Sequence, residues 1–197
     1  MGFIVIYDAN VLYPGSLRDL LIRVAQAGLV QAKWTDRILD ETFRNLKLNR
    51  PDLDPVKLDR TRELMNKAIR DVLVMNYEPL IEIVDLPDAD DRHVLAAAIK
   101  AHAQLIVTDN TKDFPEPALA SWNVEAKSAD DFVLDLIDLN RSTVYAQVQR
   151  MADAPAETSR NRGGRALFTG ARRSPQQRRG AATLTGPGGG GGSGRRW

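Results

Sequence analysis

The chain has no cysteine among its 197 residues, which excludes disulfides and thiolate metal centres and suits a reducing compartment such as the cytoplasm. No apolar run approaches the roughly 18 residues of a membrane-spanning helix. The first apolar stretch stops at Asp8 with no basic segment before it, so neither a membrane association nor a secretory leader is expected. Gly2 is followed by Ile6 at the position where myristoylation needs Ser or Thr. Glycine is scarce where it would matter. Only three of the 14 lie in residues 1–152, and none forms a phosphate-cradling loop. The chain has two histidines, His93 and His102, and no Ser-His-Asp arrangement, so the common nucleophilic hydrolases find no support. Helical spacing puts His93 on the outer face of its helix and His102 on the inner face, both as structural residues.

What is present is uneven. Residues 1–152 carry 18 Lys and Arg against 24 Asp and Glu, a balance of −6, whereas residues 153–197 carry 9 Arg against 2 acids, a balance of +7. Eleven glycines fall in that second stretch. The chain therefore divides near Ala152 into an acidic domain, 1–152, and an Arg/Gly-rich tail, 153–197. At 43% hydrophobic, it can bury one proper core.

Hydrophobic runs alternate with helical patterns across the domain. Residues 3–7, 80–84 and 105–108 read as strands, and 124–126 as a short last one. Ser16 to Asp19 has the form of a capping box ahead of a helix. Thr35 or Asp36 caps a second helix carrying Ile38, Leu39, Thr42, Phe43 and Leu46. Asp54-Pro55 opens a third, predicted to reach about Val74. Pro87-Asp88 opens a helix over 89–102, Ser128 caps one through Leu136, and a last helix covers 142–151. This alternation predicts an α/β fold, a three-layer α/β/α arrangement with a mainly parallel central sheet.

Each of the three main runs ends in, or is soon followed by, carboxylates: Asp8; Asp85, Asp88, Asp90 and Asp91; Asp109 and Asp113. The carboxyl ends of parallel strands share one edge, where open α/β sheets bind ligands. Two carboxylates about 6 Å apart repel by roughly 3 kcal/mol at an effective dielectric of 20, so such a group calls for cations or protons. Plainer readings stand beside this one. Asp8-Ala9-Asn10 also fits an Asx turn. Asp91 falls on the apolar face of its helix with Val94, Leu95, Ala98 and His102, where an inward carboxylate must be satisfied, which favours it over Asp90 as a site residue; its plainer reading is a capping box begun by Asp88. Glu41 flanks an apolar face, where solvation or pairing with Arg37 or Arg44 suffices. Spacing does not choose between Asp109 and Asp113.

The segments Asp8-Ala9-Asn10-Val11-Leu12, Glu41 in an early helix, residues 90–98, and Ile106-Val107-Thr108 closing on Lys112-Asp113-Phe114 together resemble a PIN domain over roughly residues 3–152. The resemblance implies a Mg²⁺- or Mn²⁺-dependent ribonuclease, often the VapC-type toxin of a bacterial toxin–antitoxin pair. Asp8, Glu41 and Asp91 take the core acidic positions. Asp109 and Asp113 join Asp8 and Asp91 as candidate metal ligands, and Asn10, Thr108 and Asn110 are candidate substrate-positioning groups. Asn110 stands where the family usually carries an acid, with Asp113 three residues later. Implied partners are RNA, an antitoxin protein and a second copy of the chain. Two rivals remain. One is a catalytically impaired module that only binds RNA or protein. The other is a haloacid-dehalogenase-like phosphatase, which would need an acid where Asn10 stands.

The tail has no apolar periodicity and is expected to be disordered. It is either an RNA-binding arm or a neutral extension of the kind an out-of-frame reading of GC-rich DNA produces. Deleting residues 153–197 should leave the fold of 1–152 intact. On RNA, the slope of log affinity against log salt should stay unchanged at constant Mg²⁺, because only Phe168 and Trp197 could stack on bases. A fall of about two units or more, at ~0.7 per single-strand phosphate contact, would instead establish the arm.

Overall fold

The computed structural model describes residues 3–154; the tail, apart from its first two residues, lies outside them. Four strands, β1 (Ile4–Tyr7), β2 (Gln31–Lys33), β3 (Leu105–Val107) and β4 (Glu125–Lys127), form one sheet in the order β2-β1-β3-β4, and every pairing is parallel. The helices are α1 (Ala9–Leu12), α2 (Gly15–Gln26), α3 (Asp36–Asn49), α4 (Pro55–Ala68), α5 (Arg92–Ala101), α6 (Glu116–Ala120) and α7 (Ala129–Ala152). From β1 the chain moves to one side of the sheet, to β2; from there it crosses to β3 and on to β4 in the opposite direction. Right-handed crossovers therefore place α2 and α5 on opposite faces. α7 packs with α2, and α5 packs on β1 and β3. The result is the three-layer α/β/α arrangement, with its switch point between β1 and β3.

The centre of the sheet is dry: Val5, Ile6, Tyr7, Ile106 and Val107 are fully buried. So are Val94, Leu95, Ala96, Ala97 and Ala98, which make the middle of α5 apolar all round and let it lie close to the sheet. On the other face Tyr7 meets Phe132 of α7 edge-on, with ring centroids 6.0 Å apart. α2 ends where Gly28 adopts φ +80° and Leu29 N donates to the Val24 carbonyl, a left-handed stop that favours glycine.

Several local expectations are corrected. Residues 80–84 do not form a strand. Glu78–Leu80 is a 3₁₀ turn with Pro79 in its first turn, and Ile83 is exposed. The place beyond β2 is taken by residues 72–74, where Trp34 and Leu73 form a parallel bridge. That pairing explains why α4 stops at Ala68 rather than near Val74. β2 went unread because Gln31 and Lys33 dilute it, although Val30, Ala32 and Trp34 alternate with period two. Ser16 does not cap α2, which starts after Pro14, and Asp19 instead pairs with Arg23 at 2.9 Å. The two final helices run together as α7, kinked at Asn140. Thr35, Asp54 and Ser128 do cap their helices. Among the described residues no helix is long and apolar enough to cross a membrane.

Candidate metal centre

Asp8 leaves β1 at the switch point and is only 5% exposed. Its Oδ1 accepts from Ala9 N at 2.7 Å, capping α1. Its Oδ2 accepts from the Thr108 hydroxyl and from Asn10 Nδ2, each at 2.8 Å. Thr108 Oγ1 in turn accepts from Asn10 Nδ2 at 2.8 Å and from Asn110 N at 3.1 Å, so its single proton is committed to Asp8. Asn10 Oδ1 accepts from Asp109 N at 3.0 Å. The ends of β1 and β3 are thus laced together around one carboxylate. Burial pushes the Asp8 carboxyl up to about 6, with Thr108 and Ala9 opposing and the nearby Glu41 charge adding to the rise.

Asp91 closes the 3₁₀ turn Ala89–Asp91 at the entry to α5. Its carboxylate can approach within 4.8 Å of those of Asp88 and Asp113, and all three residues are half-buried. Burial first, then the charges of Asp8, Asp88, Asp113 and Glu41, lifts the Asp91 carboxyl to about 7. The three acids come from two loops that follow different parts of the chain, and Asp8 and Glu41 are close enough for their fields to reach Asp91. Asp90 is exposed. Asp88 does cap the turn, accepting from Asp90 N at 2.9 Å. Its membership of the acidic group was hidden in the sequence by that capping role.

Asp109 and Asp113 diverge. Asp109 is exposed, and its Oδ1 accepts from Ala129 N at 3.1 Å, at the first residue of α7. Asp113 stands in the Thr111–Asp113 turn and joins the acidic group, with Asn110 Nδ2 donating to its Oδ2. The three neutral groups Asn10, Thr108 and Asn110 are therefore each bonded to a carboxylate or to one another.

Glu41 projects from α3. The neighbouring Thr42 lies 3.5 Å from the Ala9 carbonyl, which holds this helix against α1 and hence beside Asp8. Glu41 Oε2 is 3.8 Å from His93 Nε2. Both histidine placements are reversed from the expectation: His93 is 2% exposed, and His102 is exposed, ending α5 at φ +52°. Residues 93–98 are all buried, over more than one turn, so the exposed Lys100 seven residues on does not mark an outer face for His93. Arg92, the next residue after Asp91, pairs outward with Asp85 at 2.8 Å.

The donor set of the group is carboxylate oxygen only. Such a set matches hard divalent cations, which take oxygen ligands, and does not match the softer metals that seek sulfur. At 4.8 Å each pair of carboxylates repels by roughly 3 kcal/mol at an effective dielectric of 20, so the residues present fit a bound cation or retained protons.

A family model described as "PIN domain" matches residues 4–112, more than half of the chain. The chain is also similar to a Mycobacterium tuberculosis protein named "Putative ribonuclease VapC50", with 47% identity over 64 residues. That stretch is 32% of this chain and 38% of the relative, so the chain matches well under half of that protein's length. No solved structure matches.

Proposed function

The chain belongs to the PIN domain family, and from that premise we propose that it is a Mg²⁺- or Mn²⁺-dependent endoribonuclease, the toxin of a cytoplasmic toxin–antitoxin pair. The carrying observation is the convergence of Asp88, Asp91 and Asp113 at one sheet edge, with Asp8 and Glu41 coupled to them. The similarity to a protein named as a ribonuclease supports RNA as the substrate class, and an antitoxin is the partner such a toxin requires.

In this reading Asp8, Asp91 and Asp113 would hold the cation, with Asp88 beside them in the acidic group. When bound, it supplies an activated water and offsets the charge that builds on the phosphate. Thr108 and Asn10 keep Asp8 in one rotamer, and Asn110 does the same for Asp113. Glu41, with 39% of its side chain exposed, would complete the oxygen ligand set at the mouth of the site. The acidic balance of residues 1–152 would repel RNA, so cation loading also prepares the surface for a polyanion.

Incubating the purified chain with mixed RNAs in Mg²⁺, Mn²⁺ or excess EDTA tests this. Cleavage only with the cations is expected. Cation binding without cleavage would return the impaired binding module, and equal cleavage in EDTA would end the metal-dependent reading.

The two loop acids separate by a simple comparison. Asp109→Ala removes an acceptor at the start of α7 and should cost about 1 kcal/mol, the usual value of a helix cap, with Mn²⁺ affinity retained. Asp113→Asn should lose Mn²⁺ affinity with little change in melting temperature. Calorimetric titration and thermal melts on the two variants check both halves, and the reverse pattern would move the ligand role to Asp109.

A further inference from the structure

His93 is the second residue of α5, between the acids and the apolar run that follows, and only 2% of its side chain is exposed. Polar atoms buried this deeply usually have partners. Here Nδ1 has none, while Nε2 faces Glu41 Oε2 at 3.8 Å. Two considerations fix where a proton sits. A bare Nε2 would turn its lone pair toward a carboxylate, and an Nδ1–H would be a buried donor with no acceptor. The arrangement that avoids both has Nε2 protonated and directed at Glu41.

We propose that His93 is a positioning residue whose Nε2–H fixes the Glu41 carboxylate in the orientation the cation site uses. The inference rests on the metal-site reading above. At 3.8 Å the contact is too long for a hydrogen bond. The two partners differ in freedom, however: the imidazole is enclosed, whereas the glutamate side chain is 39% exposed. The histidine is the fixed member and the glutamate the movable one. A small rotation of the Glu41 side chain would close the gap, and contacts of this kind are often long until a functional site fills. Neighbours of this type, which orient a ligand without touching the metal, set affinity in many metal sites.

Calorimetric titration of the full chain with Mn²⁺, without RNA, tests the proposal on wild type, His93→Leu, His93→Gln, His93→Asn, Glu41→Ala and the His93→Leu/Glu41→Ala pair. Glutamine places an amide N–H where Nε2 stands; asparagine places one where Nδ1 stands. His93→Leu and His93→Asn should weaken Mn²⁺ by about tenfold or more, and His93→Gln by no more than about threefold. On the Glu41→Ala background His93→Leu should add nothing. Equal losses for the Gln and Asn variants, or a full further loss in the double variant, would make His93 a packing residue and overturn the proposal. If His93→Leu does not fold, the Gln and Asn comparison decides. A wild-type chain that binds no Mn²⁺ sinks the metal-site reading and this inference with it. Wild-type binding that His93→Leu leaves unchanged overturns the positioning role alone.

Discussion

Replacing Asp8 with Asn should lower RNA cleavage by about 10³-fold or more, the scale of losing one strong charge-stabilising group, while the metal-free protein melts no lower than wild type at pH 8. The two halves have different causes. Cleavage falls because an amide is a poor ligand for a hard cation. Stability holds because burial pushes the Asp8 carboxyl up to about 6, so that keeping it ionised costs the fold about 3 kcal/mol, at 1.36 kcal/mol per pKa unit. Asn removes that cost, which already includes the repulsion from Glu41, and removes a charge that raises Asp91. Against this stands one hydrogen bond. The Asn carbonyl can still accept from Thr108 and Asn10, but its amide then opposes Ala9 N, a loss of about 1–3 kcal/mol. Thermal melts and a cleavage assay on one preparation check both halves. Wild-type cleavage in Mg²⁺ would show that Asp8 is not a ligand. Lost cleavage with a fall of more than about 10 °C, equivalent to several kcal/mol in a domain of this size, would make Asp8 structural.

Legibility in the sequence followed burial. β1 and β3 are central strands covered on both faces, so they read as short continuous apolar runs, and the acids that end them mark the sheet edge directly. The neighbouring strands gave weaker signals. β2 is half-polar, and its period-two alternation of Val30, Ala32 and Trp34 spans too few residues to stand out. Residues 80–84 had the composition of a strand, yet Pro79 removes a backbone donor and sets the turn. What decides between strand and turn there is pairing with β2, and residues 72–74 already hold that edge.

The acidic group was legible as a set of strand-end carboxylates, but its membership depends on side-chain direction. Asp109 and Asp113 differ only in which neighbour takes them, Ala129 N or the Asp88–Asp91 pair, and both choices come from parts of the chain remote from the loop itself. Asp88 shows that one residue can cap a turn and still belong to a cluster. Glu41 needs the packing of α3 on α1 before it has any relation to Asp8. His93 required knowing that the first half of α5 is covered on every side while Lys100 near its end is exposed.

Without metal, the protein should be most stable in mild acid and lose stability as pH rises through 6 to 7. The sign follows from two raised carboxyls, Asp8 at about 6 and Asp91 at about 7, against the ordinary value of 3.8. The folded state keeps protons that the unfolded chain releases, so their stabilising contribution is complete below about pH 4 and disappears above the folded values. The two acids interact, and their protons leave as a coupled pair rather than at two separate sites. Surface ion pairs such as Arg50 with Asp52 act in the opposite direction, but they are exposed and individually weak. Melting temperature should therefore be higher at pH 5 than at pH 8 in EDTA. Saturating Mg²⁺ should raise the pH 8 melting temperature and offset much of that loss, because a cation binds the ionised carboxylates and ligand at about 100 times its Kd adds ~2.7 kcal/mol. In a domain of this size that is a rise of about 5–10 °C. Asp91→Asn should raise the pH 8 melting temperature in EDTA and abolish the Mg²⁺ increment. Parallel melts of wild type and Asp91→Asn at the two pH values, with EDTA or Mg²⁺, give the comparison. A wild-type melting temperature in EDTA that is flat or rises from pH 5 to pH 8 would mean that the carboxylates are not crowded. A Mg²⁺ increment that survives Asp91→Asn would place the cation elsewhere.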